Sequence, residues 1–297
     1  MSVQEWKASI NTHLDIVLND LLPNHDFKKA IEYSLLPTGK LFRPLLVYSL
    51  ASDLNSLKDS HKALAVSIEM HHTYTLIHDD LPSMDDDDYR RGRLSSHKKF
   101  NEWTAVLAGD SLLSLSYEAL CEIPSEYLKQ ILKLYTKMTG PKGLILGQVM
   151  DLGLENNSLE KTLLIHELKT ARLIQLSLMG SAVLADRFEL VPVCEEIGLI
   201  LGVNFQLLDD LCELTEEINE HEKTINPFIR YDKNKILEII ENNNKKLLQL
   251  LKKNSLNLLK NYIDSYMDKT KLTLVTNIES INTHIKINLD EVDRIFY

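Results

Sequence analysis

Glycine and proline are scarce in this chain: 297 residues hold 10 of one and 8 of the other, about half the usual combined share of roughly 12%. So few chain breakers leave little room for tight turns, which argues against an all-β sandwich or barrel and for long helices. Cysteine is scarcer still. The three present, Cys121, Cys194 and Cys212, form no CxxC pair and are odd in number, which excludes a disulfide framework and points to a reducing compartment. Long apolar runs are missing too: the best of them, Ile197–Val203, is far short of the roughly 18–20 residues of a membrane span. The amino-terminal stretch carries Glu5 and Asp15 and lacks the basic-then-apolar layout of a secretion signal. A soluble, cytoplasmic protein without stable membrane insertion is expected. Positive charge is in deficit, with 33 Lys and Arg against 43 Asp and Glu and a net charge of −10. That balance gives no support to a general nucleic-acid or anionic-membrane binder. A protein this acidic needs metal ions or a local basic cluster to receive an anionic substrate.

Helical spacing is abundant. Leu14, Val17, Leu18, Leu21 and Leu22 follow an i, i+3, i+4, i+7, i+8 pattern, which Pro23-Asn24 ends. A second helix is expected over about 26–36, stopping at Pro37-Thr38-Gly39, and Pro44 lies early in the next, where a missing N–H does least harm. Residues about 59–81 read as a long apolar helix broken by Pro82. Residues 85–97 read as a charged loop with Gly92. Helices follow at about 102–121, 125–139, 141–153, 159–185 and 191–217. After Pro227 the chain is rich in Asn, Lys and Leu but still periodic, and reads as surface-facing helices of the same domain. With no repeat and no long linker, the expected fold is all-α, a single large helical bundle over residues 1–297.

The most informative stretch runs from His78 to Gly92, with six aspartates among residues 79–88 followed at once by Arg90-Arg91. Alone, an acidic run is a solvated loop. This one leaves an apolar helix and brings its own arginines, a combination suited to a magnesium-bridged phosphate. A second acidic group, Asp209-Asp210-Leu211-Cys212-Glu213, also leaves an apolar helix. There Asp209 and Glu213 share a helix face, and facing helices in a bundle are a common place to build a metal site.

DDLPSMDDDDYRRG resembles the first aspartate-rich motif of the trans-isoprenyl diphosphate synthases in its bacterial form, and FQLLDDLCE resembles the second. Gly39-Lys40-Leu41-Phe42-Arg43-Pro44 is similar to that family's GKxxRP element, Gly147–Leu152 to its GQxxDL element and Lys169-Thr170 to its KT element. The five fall in the family's order and span nearly the whole chain. The resemblance implies a bundle of the isoprenoid synthase type with a central apolar cavity. It also implies head-to-tail condensation of isopentenyl diphosphate with an allylic diphosphate by magnesium-assisted ionisation.

On that resemblance Asp79, Asp80, Asp85, Asp209, Asp210 and Lys169 form the catalytic set. Asp79 and Asp85 hold two magnesium ions and Asp209 a third, with Asp80, Asp210 and Glu213 beside them. Gly39, Lys40, Arg43, His72 and Arg91 receive isopentenyl diphosphate. Arg90, Lys169, Thr170, Gln206 and Lys223 receive the allylic diphosphate. Tyr74, about 7.5 Å back along the helix from Asp79, with Thr75 next to it, would stop the growing chain early, giving a C15 product before C20. A homodimer is also implied.

Two departures stand out. Glu213 replaces the usual aspartate, and one lysine, Lys223, stands where the family has two with a loop between, so the lid over the allylic diphosphate is shorter. A catalytically weak or regulatory member of the same fold is the alternative. A cyclase or head-to-head synthase would not need Lys40, Arg43 and His72.

Overall fold

The computed structural model describes residues 2–21, 24–155, 157–215 and 225–296. Helices carry the fold, as expected, and among the described residues the only sheet is a pair of two-residue strands. Contacts divide the chain into two compact units, Met1–Leu132 with Gly180–Arg187, and Lys133–Met179 with Phe188–Tyr297.

In the first unit, α1 (Val3–Leu21) buries Trp6, Ile10, Leu14, Val17 and Leu18, one stripe at helical spacing. After α2 (Lys28–Leu35), α3 (Phe42–Asp53) is buried without interruption from Pro44 to Ala51. A helix apolar on all sides belongs in the interior. Next, α4 (Asp59–Asp79) is held by polar pegs as well as packing. Its Ser67 hydroxyl donates to the Ser116 carbonyl at 2.6 Å, and His61 Nε2–H donates to the Ser181 carbonyl at 3.2 Å. The helix stops at Asp79, short of the expected 81, because Pro82 has no N–H and its ring crowds the carbonyl four residues back.

The segment expected as a charged loop is more ordered than that. Strands β1 (Tyr89–Arg90) and β2 (Arg93–Leu94) pair antiparallel, Tyr89 opposite Leu94 and Arg90 opposite Arg93. Between them Arg91 (φ 53°) and Gly92 (φ 72°) are both left-handed, the turn whose twist suits a two-residue hairpin. The short α5 (Ser96–Lys99) follows, then α6 (Glu102–Ala119), which is the main partner of α4.

Helix α7 (Ser125–Thr139) contributes to both units. In the second unit α8 (Leu144–Leu152) starts three residues after the expected point. The helix expected over 159–185 is interrupted: α9 (Leu159–His166) passes into a π-turn at Glu167–Ala171 before α10 (Arg172–Leu184). Helix α11 (Val191–Glu213) is the spine of this unit. With the turn before it, Phe188–Glu213 is long and apolar enough to cross a membrane by length and composition, and 56% of its apolar window is buried within the protein.

The later helices are α12 (Pro227–Arg230), α13 (Lys233–Lys253), α14 (Asn257–Thr276), α15 (Ile278–Ile281) and α16 (Leu289–Arg294). Helix α13 is amphipathic: it lays Ile236, Ile240, Leu247 and Leu251 inward against α11. Its asparagine run is only partly at the surface. Asn244 is buried, accepts from Asn204 Nδ2 of α11 at 2.9 Å and donates to the Ile295 carbonyl, while Asn243 donates to Asn204 Oδ1 at 2.8 Å.

Candidate active site

The first acidic motif is shaped by its backbone. Asp79 ends α4 and Asp80 caps it. The chain then folds back around Pro82: the Met84 amide donates to the Leu81 carbonyl at 2.9 Å, the Asp86 amide to the same oxygen at 3.1 Å, and the Asp85 amide to the Asp79 carbonyl at 2.9 Å. Asp85 is thereby returned to the helix end that carries Asp79. Asp79 is half-buried and Asp85 exposed, whereas Asp80 points inward, 3% exposed. Arg90 Nε donates to Asp80 Oδ1 at 2.8 Å, and its Nη2 also reaches Asp87 at 2.8 Å. Burial raises the Asp80 pKa above the usual carboxylate range, and the Arg90 guanidinium opposes that rise. Arg90 is therefore bound to the acidic run itself.

The basic residues expected around isopentenyl diphosphate lie in the same unit. Lys40 is exposed in the loop before α3, and Leu41 begins that helix from a left-handed backbone. The Arg91 guanidinium lies against the backbone of Gly39, where any side chain would displace it. Arg43 Nη1 donates to His72 Nε2 at 3.2 Å. Burial, with Arg43 and Arg91 nearby, holds the His72 pKa well below its usual value, so the ring is neutral and its Nε2 is an acceptor.

Glu69, one helical turn before His72, escapes sequence reading. It is a carboxylate inside the apolar run SIEMHH, 2% exposed, and burial raises its pKa against the pull of Arg91 and Arg43. Tyr74 is buried with its ring edge-on to His71 (centroids 4.6 Å apart) and His78 (5.7 Å), and burial pushes its pKa up to about 12. Thr75 donates to the His72 carbonyl at 2.7 Å.

The second unit holds the rest. Gly147 presses α8 against the backbone of Lys169, close enough that a Cβ would stand 2.6 Å from the Lys169 nitrogen. One turn on, Asp151 of α8 meets Lys169 Nζ at 2.7 Å. Lys169 and Thr170 sit on the π-turn, an irregularity that recurs at functional sites, and both line a cavity of about 150 Å3 with Asp151, His166, Gln206 and Asp210. Thr170 Oγ1 donates to Gln206 Oε1 at 3.0 Å, and Gln206 Nε2 donates to Asp210 Oδ1 at 3.0 Å.

Asp210 is 6% exposed and lies 3.5 Å from His166 Nε2. Burial drives its pKa well above the carboxylate range and that of His166 down to about 4. Asn226 donates to the Asp210 carbonyl at 2.7 Å. His166, Asp151 and Asn226 are site-building residues that spacing did not single out. Asp209 and Glu213 are both exposed, and Glu213 lines the same cavity as the buried Asp210. Lys223 lies outside the described residues.

Each motif thus follows one plan. The second aspartate of the pair, Asp80 or Asp210, is buried and hydrogen-bonded, while Asp79 is half-buried and Asp85, Asp209 and Glu213 are exposed. All are hard oxygen donors, the set that magnesium takes.

The polyprenyl synthetase family profile matches residues 24–265. The chain is 37% identical over 216 residues to the farnesyl diphosphate synthase of Bacillus subtilis, covering 70% of this chain and 73% of that one. Its fold is similar to a geranyltranstransferase structure from Thermotoga maritima, with a TM-score of 0.79, 25% identity and coverage of 90% and 98%. A geranyltransferase from Helicobacter pylori complexed with magnesium and isoprenyl diphosphate has a TM-score of 0.68 and 30% identity, with coverage of 95% and 97%. Both motifs, the basic elements between and before them, and the helical fold agree with that match: the chain belongs to the polyprenyl synthetase family.

Proposed function

We propose that the protein is a magnesium-dependent, head-to-tail prenyl transferase. It joins isopentenyl diphosphate to a dimethylallyl or geranyl diphosphate and releases a short product, C15 farnesyl diphosphate. The observation that carries this reading is the shared plan of the two acidic motifs, a buried, hydrogen-bonded aspartate beside carboxylates nearer the surface. Asp79, Asp85 and Asp209 would hold magnesium, three ions in all, with Glu213 beside them. When bound, the metal neutralises the charge that develops on the departing pyrophosphate. Asp80 fixes Arg90 at the edge of the first motif, and the Asp210–Gln206–Thr170 chain orients the allylic diphosphate pocket with Lys169.

Lys40, Arg43 and Arg91 receive the second diphosphate, for which arginine is suited by its bidentate fork. His72 and Glu69 hold that pair of arginines from behind. Tyr74 is the floor against which the growing chain stops. The exposed apolar side chains of α6, Trp103 at 65%, Leu107 at 47% and Val106 at 38% exposure, support a homodimer built on that helix. Residues 1–297 act as one catalytic domain, and the three free cysteines fit a cytoplasmic location.

The test is a product assay with magnesium, labelled isopentenyl diphosphate and separate C5, C10 and C15 allylic primers. A C15 product abolished by chelation is expected. Longer product would keep the reaction and remove Tyr74 as the floor, and no product with any primer would favour the regulatory reading. Sedimentation as a monomer of 34.1 kDa would refute the dimer.

A further inference from the structure

Pairing in the hairpin has a second effect at its open end. Because Tyr89 pairs with Leu94, the next residues out, Asp88 and Ser95, are drawn together, and the Ser95 amide donates to the Asp88 carbonyl at 2.9 Å. His97, two residues beyond Ser95, is thereby set beside Asp88 although eight residues lie between them in sequence. A carboxylate oxygen each of Asp86 and Asp88 and a ring nitrogen of His97 lie within 4.8 Å of one another.

Exposed carboxylates alone would carry nothing. His97 adds an independent observation: it is only 7% exposed, yet its Nε2 has no hydrogen-bond partner among the described residues. The other nitrogen, Nδ1, is 3.1 Å from the hydroxyl of the buried Ser95. With Nδ1–H donating to Ser95, the Nε2 lone pair is left for a ligand, the arrangement in which an imidazole binds metal with its other nitrogen anchored. An orphaned buried imidazole nitrogen costs stability unless something takes it up.

We propose that Asp86, Asp88 and His97 form a further divalent-cation site, apart from the carboxylates Asp79, Asp85 and Asp209 and distinguished from them by a nitrogen ligand. Ligand atoms about 2.0–2.2 Å from a metal stand ~3–4.4 Å apart, so the three need close only slightly. Two carboxylates and an imidazole suit a first-row transition ion such as manganese or zinc better than magnesium, which favours oxygen alone. Lys98 Nζ holds one oxygen of Asp88 at 2.8 Å, leaving the second for the cation, and Arg90 faces away toward Asp80 and Asp87. A bound cation would pin the acidic run to α5 and so fix the hairpin that presents Arg90 and Arg91. This site does not depend on the reading of the reaction given above.

Pulsed electron paramagnetic resonance of the full chain with manganese alone, without diphosphate, tests it. Nitrogen-14 coupling from one imidazole is expected, disappearing in His97→Gln. Asp88→Asn should weaken that manganese binding at least ~10-fold, and Lys98→Met should tighten it, since the competing ammonium is gone. Manganese bound without nitrogen coupling, coupling that survives His97→Gln, or no binding at millimolar manganese would each overturn the proposal. Asp86→Asn, at an exposed position, guards against a folding defect in the histidine variant: unchanged coupling and affinity there also count against the site.

Discussion

A Cβ placed on Gly39 would stand 2.7 Å from Cζ of Arg91 and 2.9 Å from its Nη2. The guanidinium lies flat on backbone that only glycine leaves bare. It is the mobile end of a long side chain, so a methyl group moves the arginine rather than the fold. Gly39→Ala should raise KM for isopentenyl diphosphate by ~10-fold or more, the worth of one charge-assisted hydrogen bond, with kcat and melting temperature little changed. Steady-state kinetics with each substrate varied in turn would check this, and a rise confined to the allylic substrate would refute it.

Pro82 is the second test. Without it the helix has no barrier at this point, and the 2.9 Å bond from the Asp85 amide to the Asp79 carbonyl competes with simple helix extension. Pro82→Ala should therefore weaken magnesium dependence or activity on the order of tenfold, as loss of support behind a metal ligand does. Titrating activity against magnesium reads the effect directly.

Replacing Tyr74 by alanine removes a ring packed between His71 and His78. Products longer than C15 are expected, at a stability cost of about 3–5 kcal/mol for an aromatic deleted from a core. Chromatography of the products and a urea melt separate the two consequences. Unchanged C15 product would discard the floor.

Asp151→Asn removes the negative charge that stands 2.7 Å from Lys169 Nζ. The pair is partly exposed, so the change in folding stability should stay below ~1 kcal/mol, while a mispositioned lysine should lower kcat/KM for the allylic diphosphate by ~10-fold or more. Equal loss with both substrates would point instead to a general disturbance of α8.

Stability should also depend on pH in a stated direction. Burial holds His61 down at about 4 and His71 at about 3, whereas in the unfolded chain both titrate near ~6.5. Below that value the unfolded chain takes up protons that the folded one refuses. The stability these two histidines carry is therefore full above about pH 6.5 and declines as pH falls toward about 4, by on the order of 2 kcal/mol per histidine at pH 5, while the raised carboxyls of Asp210 and Glu69 act in the opposite sense. Urea melts at pH 7.5 and 5 on the protein and on His61→Gln measure it, and the change from pH 7.5 to 5 should be less destabilising in the variant. The same change between the two pH values in both proteins would sink the prediction.

What the sequence makes legible is spacing. Asp79, Asp85, Asp209 and Glu213 are readable because helical and turn geometry convert their separations into shared faces, and the long helices follow from their apolar periods. Burial of one acid in a pair is not readable: Asp79 and Asp80 are the same residue type, and it is Asp80 that turns inward to meet Arg90. Glu69 and His166 are invisible for a related reason, since the groups they face are distant in sequence. The hairpin was half legible. Gly92 signals a turn, but Arg91 carries no cue for its left-handed backbone.

The buried asparagines reach further than packing alone would. Asn204 lies on the helix that ends in Asp209 and Glu213, and it is tied through Asn244 to the carbonyl of Ile295. Cleavage just ahead of Ile295, by a contaminating protease for instance, would cut this tie while leaving every motif intact. A trimmed preparation could thus lose turnover and be mistaken for a sluggish enzyme, so intact mass belongs beside any rate measured on this protein.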